Sequence, residues 1–122
     1  MNYLGKHIIV ELYGCDADRA NDVVYIEKIM KEAANLAGEQ INNSLFHKFG
    51  EKGGIAGMIL ITEGYYGFRS WAESGYIGLD LLSARDTLEE NNTEKALAFL
   101  VRKFGATKYS ASEIKRGNKT EV

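Results

Sequence analysis

Apolar residues fall along this chain in short runs and in two helical stripes, separated by polar or glycine-rich stretches. His7 to Tyr13 is an apolar run broken by Glu11 and closed by Gly14, and it reads as a strand. Between Asp22 and Ala37, apolar residues stand at 23, 26, 29, 30, 33, 34 and 37, the spacing of one helix face. Gly38 follows where a helix-ending glycine belongs. Ile41 to Phe49 fits a second strand, residues 50–54 a glycine-rich turn, and Ile55 to Thr62 the clearest strand in the chain. Glu63-Gly64-Tyr65-Tyr66-Gly67 reads as a tight, tyrosine-rich turn leading into a short strand from Phe68 to Trp71. Glu73-Ser74-Gly75 then turns the chain into a strand from Tyr76 to Leu82. Asn92 or Thr93 caps a second helix whose apolar face is Ala96, Leu97, Leu100, Val101 and Phe104, stopped by Gly105. Lys108 to Ile114 is the last strand.

The order β-α-β-β-β-β-α-β predicts an α/β two-layer sandwich: a mainly antiparallel sheet with two helices on one face. At 122 residues the chain is one domain, placed at 1–117 with a frayed polar tail at 118–122. Two helices cover one sheet face only, so the other is expected to pair, giving a homodimer. The net charge of −2 supplies no basic field for nucleic acid and no polybasic run for a membrane surface. No window reaches the length of a membrane span, and Met1 to Val10 lacks the apolar length of a leader. A single cysteine, Cys15, fits a reducing compartment, so the expectation is a cytoplasmic protein.

Chemistry is sparse. His7 and His47 lie far apart without partners at ligand spacing, which predicts no metal site. The glycines at 50–54 are not followed by Lys-Ser or Lys-Thr, so they make no phosphate loop. Cys15, between Gly14 and Asp16, reads as a small buried residue and not as a nucleophile. Gly64-Tyr65-Tyr66-Gly67 either brings backbone close to a ligand or makes a plain hairpin turn. No catalytic constellation is legible from the residues alone.

Several segments in order resemble the short prokaryotic S-adenosylmethionine decarboxylases. They are Leu4-Gly5-Lys6-His7 running into Glu11-Leu12-Tyr13-Gly14-Cys15-Asp16, then Ser44 to Phe49, and Gly54-Ile55-Ala56-Gly57 with Ile59 to Glu63. Trp71, Glu73, Gly75 and Tyr76 follow, and Glu113 to Gly117 closes the match. The resemblance implies the sandwich derived above, pairing through its sheets. It also implies a Glu-Ser bond that cleaves itself, the serine becoming a pyruvoyl group that serves as electron sink. Here Gly64 follows Glu63. Glycine has no β-hydroxyl to attack the preceding carbonyl. The processing histidine falls on Arg69, the proton-donating cysteine on Ala84, and a processing serine on Ala56. The expectation is therefore an uncut chain with no catalytic residues and no pyruvoyl cofactor. Glu73-Ser74, a second Glu-Ser pair, sits in a turn away from the matching position and is expected to stay intact.

The positions that remain suit binding. Glu11 resembles a family carboxylate lining the substrate pocket, against the alternative of an exposed edge-strand charge. Phe46, Phe49, Tyr65 and Tyr66, with Phe68, offer aromatic faces for an adenine or a sulfonium, or else pack the core. Arg69 either grips a ligand carboxylate or makes a salt bridge to Glu63 or Glu73, both also placed at the site. Three functions follow from the resemblance. The first is a non-cleaving homologue binding S-adenosylmethionine or a related amine or nucleoside. The second is a pseudoenzyme subunit regulating an active paralogue in polyamine (spermidine) biosynthesis. The third is a pyruvoyl-independent lyase acting on S-adenosylmethionine.

Overall fold

The computed structural model describes residues 2–85 and 90–122. Its elements run β1 (Tyr3–Tyr13), α1 (Val23–Leu36), β2 (Ile41–Lys48), β3 (Ile55–Ile61), β4 (Gly64–Trp71), β5 (Tyr76–Ser83), α2 (Glu90–Lys103) and β6 (Lys108–Asn118). This is the expected order. The strands make one sheet ordered β2-β3-β4-β5-β1-β6, with every neighbouring pair antiparallel. The result is the two-layer α/β sandwich. Among the described residues, no helix is long and apolar enough to cross a membrane.

Helix α1 forms where the apolar spacing places it. The Asp22 side chain accepts the Tyr25 N–H at 3.1 Å, satisfying one of the free donors of the first turn. Gly38 ends the helix at φ 79°, a backbone state that costs glycine little. Ile26, Ile29, Met30 and Ala33 of α1, Ala96 and Leu100 of α2, and Phe104 just after α2 are buried against the sheet. The sheet answers with every second residue: Val10 and Leu12, Ile59 and Ile61, Tyr66 and Phe68, Ile77, Leu79 and Leu81. Ser70, fully buried in this layer, donates to the Ala20 carbonyl at 2.6 Å and accepts the Ile55 N–H at 2.9 Å, so the core stays satisfied.

Three expectations need correction. Gly64 to Gly67 is not a turn but the first half of β4; the chain reverses at Thr62-Glu63 instead. The glycines hid a period-two pattern in which Tyr66 enters the core and Tyr65 points to the opposite face. Asn92 and Thr93 lie inside α2 and do not cap it. Strand β6 also outruns the expected end by four residues, to Asn118. It is exposed along its whole length and so shows little apolar alternation.

Candidate functional site

The sheet face without helices carries the polar chemistry. Register aligns its side chains in rows across the strands. One row runs Ser110, Glu11, Gly78, Arg69, Ala56, His47, and the next runs Ser112, Ile9, Asp80, Gly67, Met58, Leu45. Between β1, β4 and β5 these rows form a hollow of about 200 Å3 lined by Glu11, Arg69, Trp71, Tyr76 and Asp80, with Gly78 in its floor.

Each charged group in the hollow is held by its own contacts. Tyr76 lies across Gly78, where a Cβ would stand 2.9 Å from the phenol oxygen, and donates its proton to Glu11. Burial, then the hydrogen bond to Glu11 and that carboxylate's charge, push the Tyr76 phenol up to about 12. Asp80 Oδ1 lies 3.0 Å from His7 Nε2, and Arg116 Nη1 lies 3.0 Å from His7 Nδ1. A guanidinium only donates, so Nδ1 accepts and Nε2 carries the proton given to Asp80. Arg69 lies between the rings of Phe49 and Trp71, 4.6 Å from each centroid. Its Nη1 donates to the carbonyls of Gly53 (3.2 Å) and Ser70 (3.1 Å).

A second cluster lies at one end of the sheet, where three segments meet. Thr62 N–H donates to Gln40 O (3.0 Å), Ala84 N–H to Glu63 O (2.7 Å), and Arg85 Nη1 to Gly38 O (2.6 Å). Gly64 pairs with Ser83 there. Glu39 is buried in the same corner, with Oε1 lacking a hydrogen-bond partner among the described residues. Burial raises its carboxyl above the ordinary range, opposed by the Ser83 hydrogen bond and the Arg85 charge. Tyr66 is likewise pushed up, first by burial and then by the Glu39 charge. Cys15 is buried and pushed up to about 11, so little of the nucleophilic thiolate forms near neutral pH.

The S-adenosylmethionine decarboxylase family profile matches residues 6–117. The chain belongs to that family. It is 39% identical over 117 residues to an S-adenosylmethionine decarboxylase proenzyme of Clostridium kluyveri, covering 96% of this chain and 90% of the relative. It is 40% identical to the proenzyme of Carboxydothermus hydrogenoformans, covering 96% and 89%. The crystal structure of the adenosylmethionine decarboxylase from Aquifex aeolicus superposes with a TM-score of 0.84 at 23% identity, covering 96% of this chain and 93% of that one. That likeness establishes the shared fold.

The four positions that the sequence resemblance sets against decarboxylase chemistry fall in two places. Gly64 and Ala84 meet at the corner, where Ala84 is tied to Glu63. Ala56 and Arg69 pair across β3 and β4, on the hollow's side of the sheet. The corner as folded leaves no room for the serine side chain that would yield a pyruvoyl group. A Cβ at position 64 would lie 2.9 Å from the Leu82 carbonyl carbon and closer still to its oxygen.

Of the binding residues expected from sequence, the fold gathers Glu11 and Arg69 in the hollow and sets Phe49 against Arg69. Tyr65 stands on the same face, edge-on to His7 at 6.5 Å. Phe46 and Tyr66 do not join them. Phe46 packs over Gly57 toward Phe68, and Tyr66 is buried beneath the helices. Glu63 and Glu73 are exposed in turns. Among the described residues neither pairs with Arg69, because Glu63 sits about 20 Å away along the extended strand and carbonyls and rings already hold the guanidinium. Sequence reasoning missed Tyr76, Asp80, Trp71, Arg116 and the role of His7. The available signal was Tyr65-x-Gly67-x-Arg69 beside Tyr76-x-Gly78-x-Asp80, two strands that each place a glycine between functional side chains on one face.

Proposed function

We propose that this chain is an uncleaved, pyruvoyl-free member of its family that binds S-adenosylmethionine or a related amine or nucleoside without decarboxylating it. One observation carries the reading: the Leu82 carbonyl fills the space that a side chain at Gly64 needs, the position where the family resemblance puts the self-processing serine. Arg69 and Ala84 support it, since neither relays a proton near neutral pH. Retained Glu11 and the aromatic-flanked hollow supply binding groups for a cationic, ring-bearing ligand. The setting is polyamine biosynthesis, with S-adenosylmethionine as the relatives' named substrate. The protein works as a homodimer joined through the open sheet face, where Leu45, Met58, Leu60 and Trp71 are all more than two-fifths exposed.

The same apolar face favours a second reading, a regulatory subunit that docks on an active paralogue through its sheet. Intact mass spectrometry of the purified protein tests the central claim, with one 13.6 kDa chain expected. A thermal-shift series with S-adenosylmethionine, its decarboxylated form, methylthioadenosine and polyamines then reads binding. Two fragments, or a carbonyl trapped by a hydride reagent, overturns the reading.

A further inference from the structure

Arg69 and Asp80 occupy one diagonal of a square on the open face whose other corners are glycines, because Arg69 pairs with Gly78 and Gly67 with Asp80. Diagonal cross-strand neighbours are within reach of a side chain as long as arginine. Opposite charges so placed ordinarily close on each other, yet no ion pair joins these two among the described residues. Arg69 is drawn aside by two carbonyls and stacked between Phe49 and Trp71. Asp80 is drawn the other way by His7, which Arg116 fixes from β6. Two independent sets of contacts therefore hold a guanidinium and a carboxylate apart across an open hollow. Arg69 keeps N–H groups, and Asp80 keeps Oδ2, without a protein partner among the described residues.

We propose that this square is a receptacle for a zwitterion, the head group of an α-amino acid. The ligand's carboxylate meets the free edge of Arg69 and its cation meets Asp80, while His7, clamped by Arg116, is the positioning residue for Asp80. Two carboxylates, Asp80 and Glu11, line the hollow with one guanidinium, that of Arg69, while Arg116 stands outside it behind His7. A simple anion is therefore repelled, and a zwitterion bearing an extra positive charge is the best complement. Such a head group comes either from a free basic amino acid or from the methionyl end of S-adenosylmethionine. This inference rests on the binding function proposed above, insofar as the same face receives the ligand.

Calorimetric titration of the full chain with S-adenosylmethionine, L-lysine and methylthioadenosine separates the possibilities. The variants are Asp80→Asn, His7→Phe and His7→Gln, with melting temperatures recorded for each. Asp80→Asn is expected to weaken S-adenosylmethionine about ten- to a hundredfold, as loss of a charge-assisted bond does. Methylthioadenosine, which has no zwitterion, keeps its affinity. His7→Phe gives a smaller loss of about three- to tenfold. His7→Gln recovers most of it, since its amide both donates to Asp80 and accepts from Arg116. If wild type binds S-adenosylmethionine and Asp80→Asn binds it equally well, or loses both nucleosides by one factor, the receptacle is wrong and the binding function stands. Lysine binding without nucleoside binding upholds the receptacle and overturns the nucleoside reading. No binding of any probe overturns both.

Discussion

Gly64 faces the Leu82 carbonyl across the β4–β5 ladder so closely that no side chain fits between them. The obstacle is backbone, which cannot rotate aside as a side chain can. Space for a serine therefore comes only from moving the strand ends apart, against the Ala84 to Glu63 hydrogen bond of 2.7 Å.

Gly64→Ser is accordingly expected to destabilise the fold by about 1–3 kcal/mol, the usual range for overpacking, and to remain uncut. On the proposed reading, restoring the hydroxyl still leaves Arg69 and Ala84 where the family resemblance puts the proton-handling groups. Thermal denaturation beside intact mass spectrometry reads both effects. An unchanged melting temperature contradicts the close packing, and recovery of carbon dioxide release by this one change contradicts the account of the lost chemistry.

Glu39 links the same corner to pH. Its carboxyl is raised in the folded state from an ordinary value of 4.5, chiefly by burial. A raised acid is worse off ionised when folded than when unfolded. Its stabilising contribution is thus fully present below the ordinary value and is lost as pH rises through the raised one. Glu39→Gln removes that loss. Urea denaturation from about pH 4 to about pH 8 is expected to show the variant gaining on wild type as pH rises, then holding level. A wild type that gains on the variant instead means the ionised carboxylate is favoured by Ser83 and Arg85.

Much of this architecture was legible in the chain. The helix stripe from Val23 and the run Ile55 to Ile61 each show a period that burial enforces, so element order and layers follow from the sequence. Strand β4 was misread because Gly64 and Gly67 are turn residues by habit, and only their pairing with Ser83 and Asp80 shows that they make close approach and open floor. The site was half legible. Glu11 and Arg69 were visible through the resemblance, whereas Asp80, Tyr76 and Arg116 gain meaning only from register, since they meet Glu11 and His7 across strands 65 to 109 residues apart in sequence.

The Tyr76–Glu11 contact gives an optical test. Burial raises the phenol most, with the hydrogen bond and charge of Glu11 adding to it, to about 12. Glu11→Gln removes the charge and is expected to bring one tyrosine ionisation downward in an absorbance titration, leaving the other six in place. Gly78→Ala should act in the same direction, because its methyl group displaces the phenol from Glu11. No movement of any tyrosine in Glu11→Gln means the contact is not held in solution.

Pairing through the open face predicts a dimeric mass by light scattering at micromolar concentration. Met58 and Leu60, 41% and 45% exposed on that face, lie away from the core, so Met58→Lys with Leu60→Lys should yield a folded monomer. In the proposed dimer, sheet-to-sheet contact would also roof the hollow and exclude water, strengthening charge interactions inside it. The monomeric variant should therefore bind S-adenosylmethionine more weakly than wild type. A wild-type monomer, or a double variant that stays dimeric, removes this interface.

Arg69 carries two separable roles, and substitutions distinguish them. Set between the rings of Phe49 and Trp71 and bonded to Gly53 O, it fastens the turn at 50–54 to β4. Lysine keeps the charge but lacks the planar fork that stacks and bonds at once. Arg69→Lys is expected to cost about 1–2 kcal/mol of stability, the scale of partly desolvated cation–π contacts, with faster amide exchange confined to that turn. Arg69→Ala removes the charge as well. Its stability loss should be similar, but its affinity for S-adenosylmethionine should fall about ten- to a hundredfold, while methylthioadenosine, lacking a carboxylate, holds its own. Equal losses for the two ligands would mean that Arg69 acts on binding only by holding the turn, and equal wild-type affinities for them would already remove the carboxylate contact.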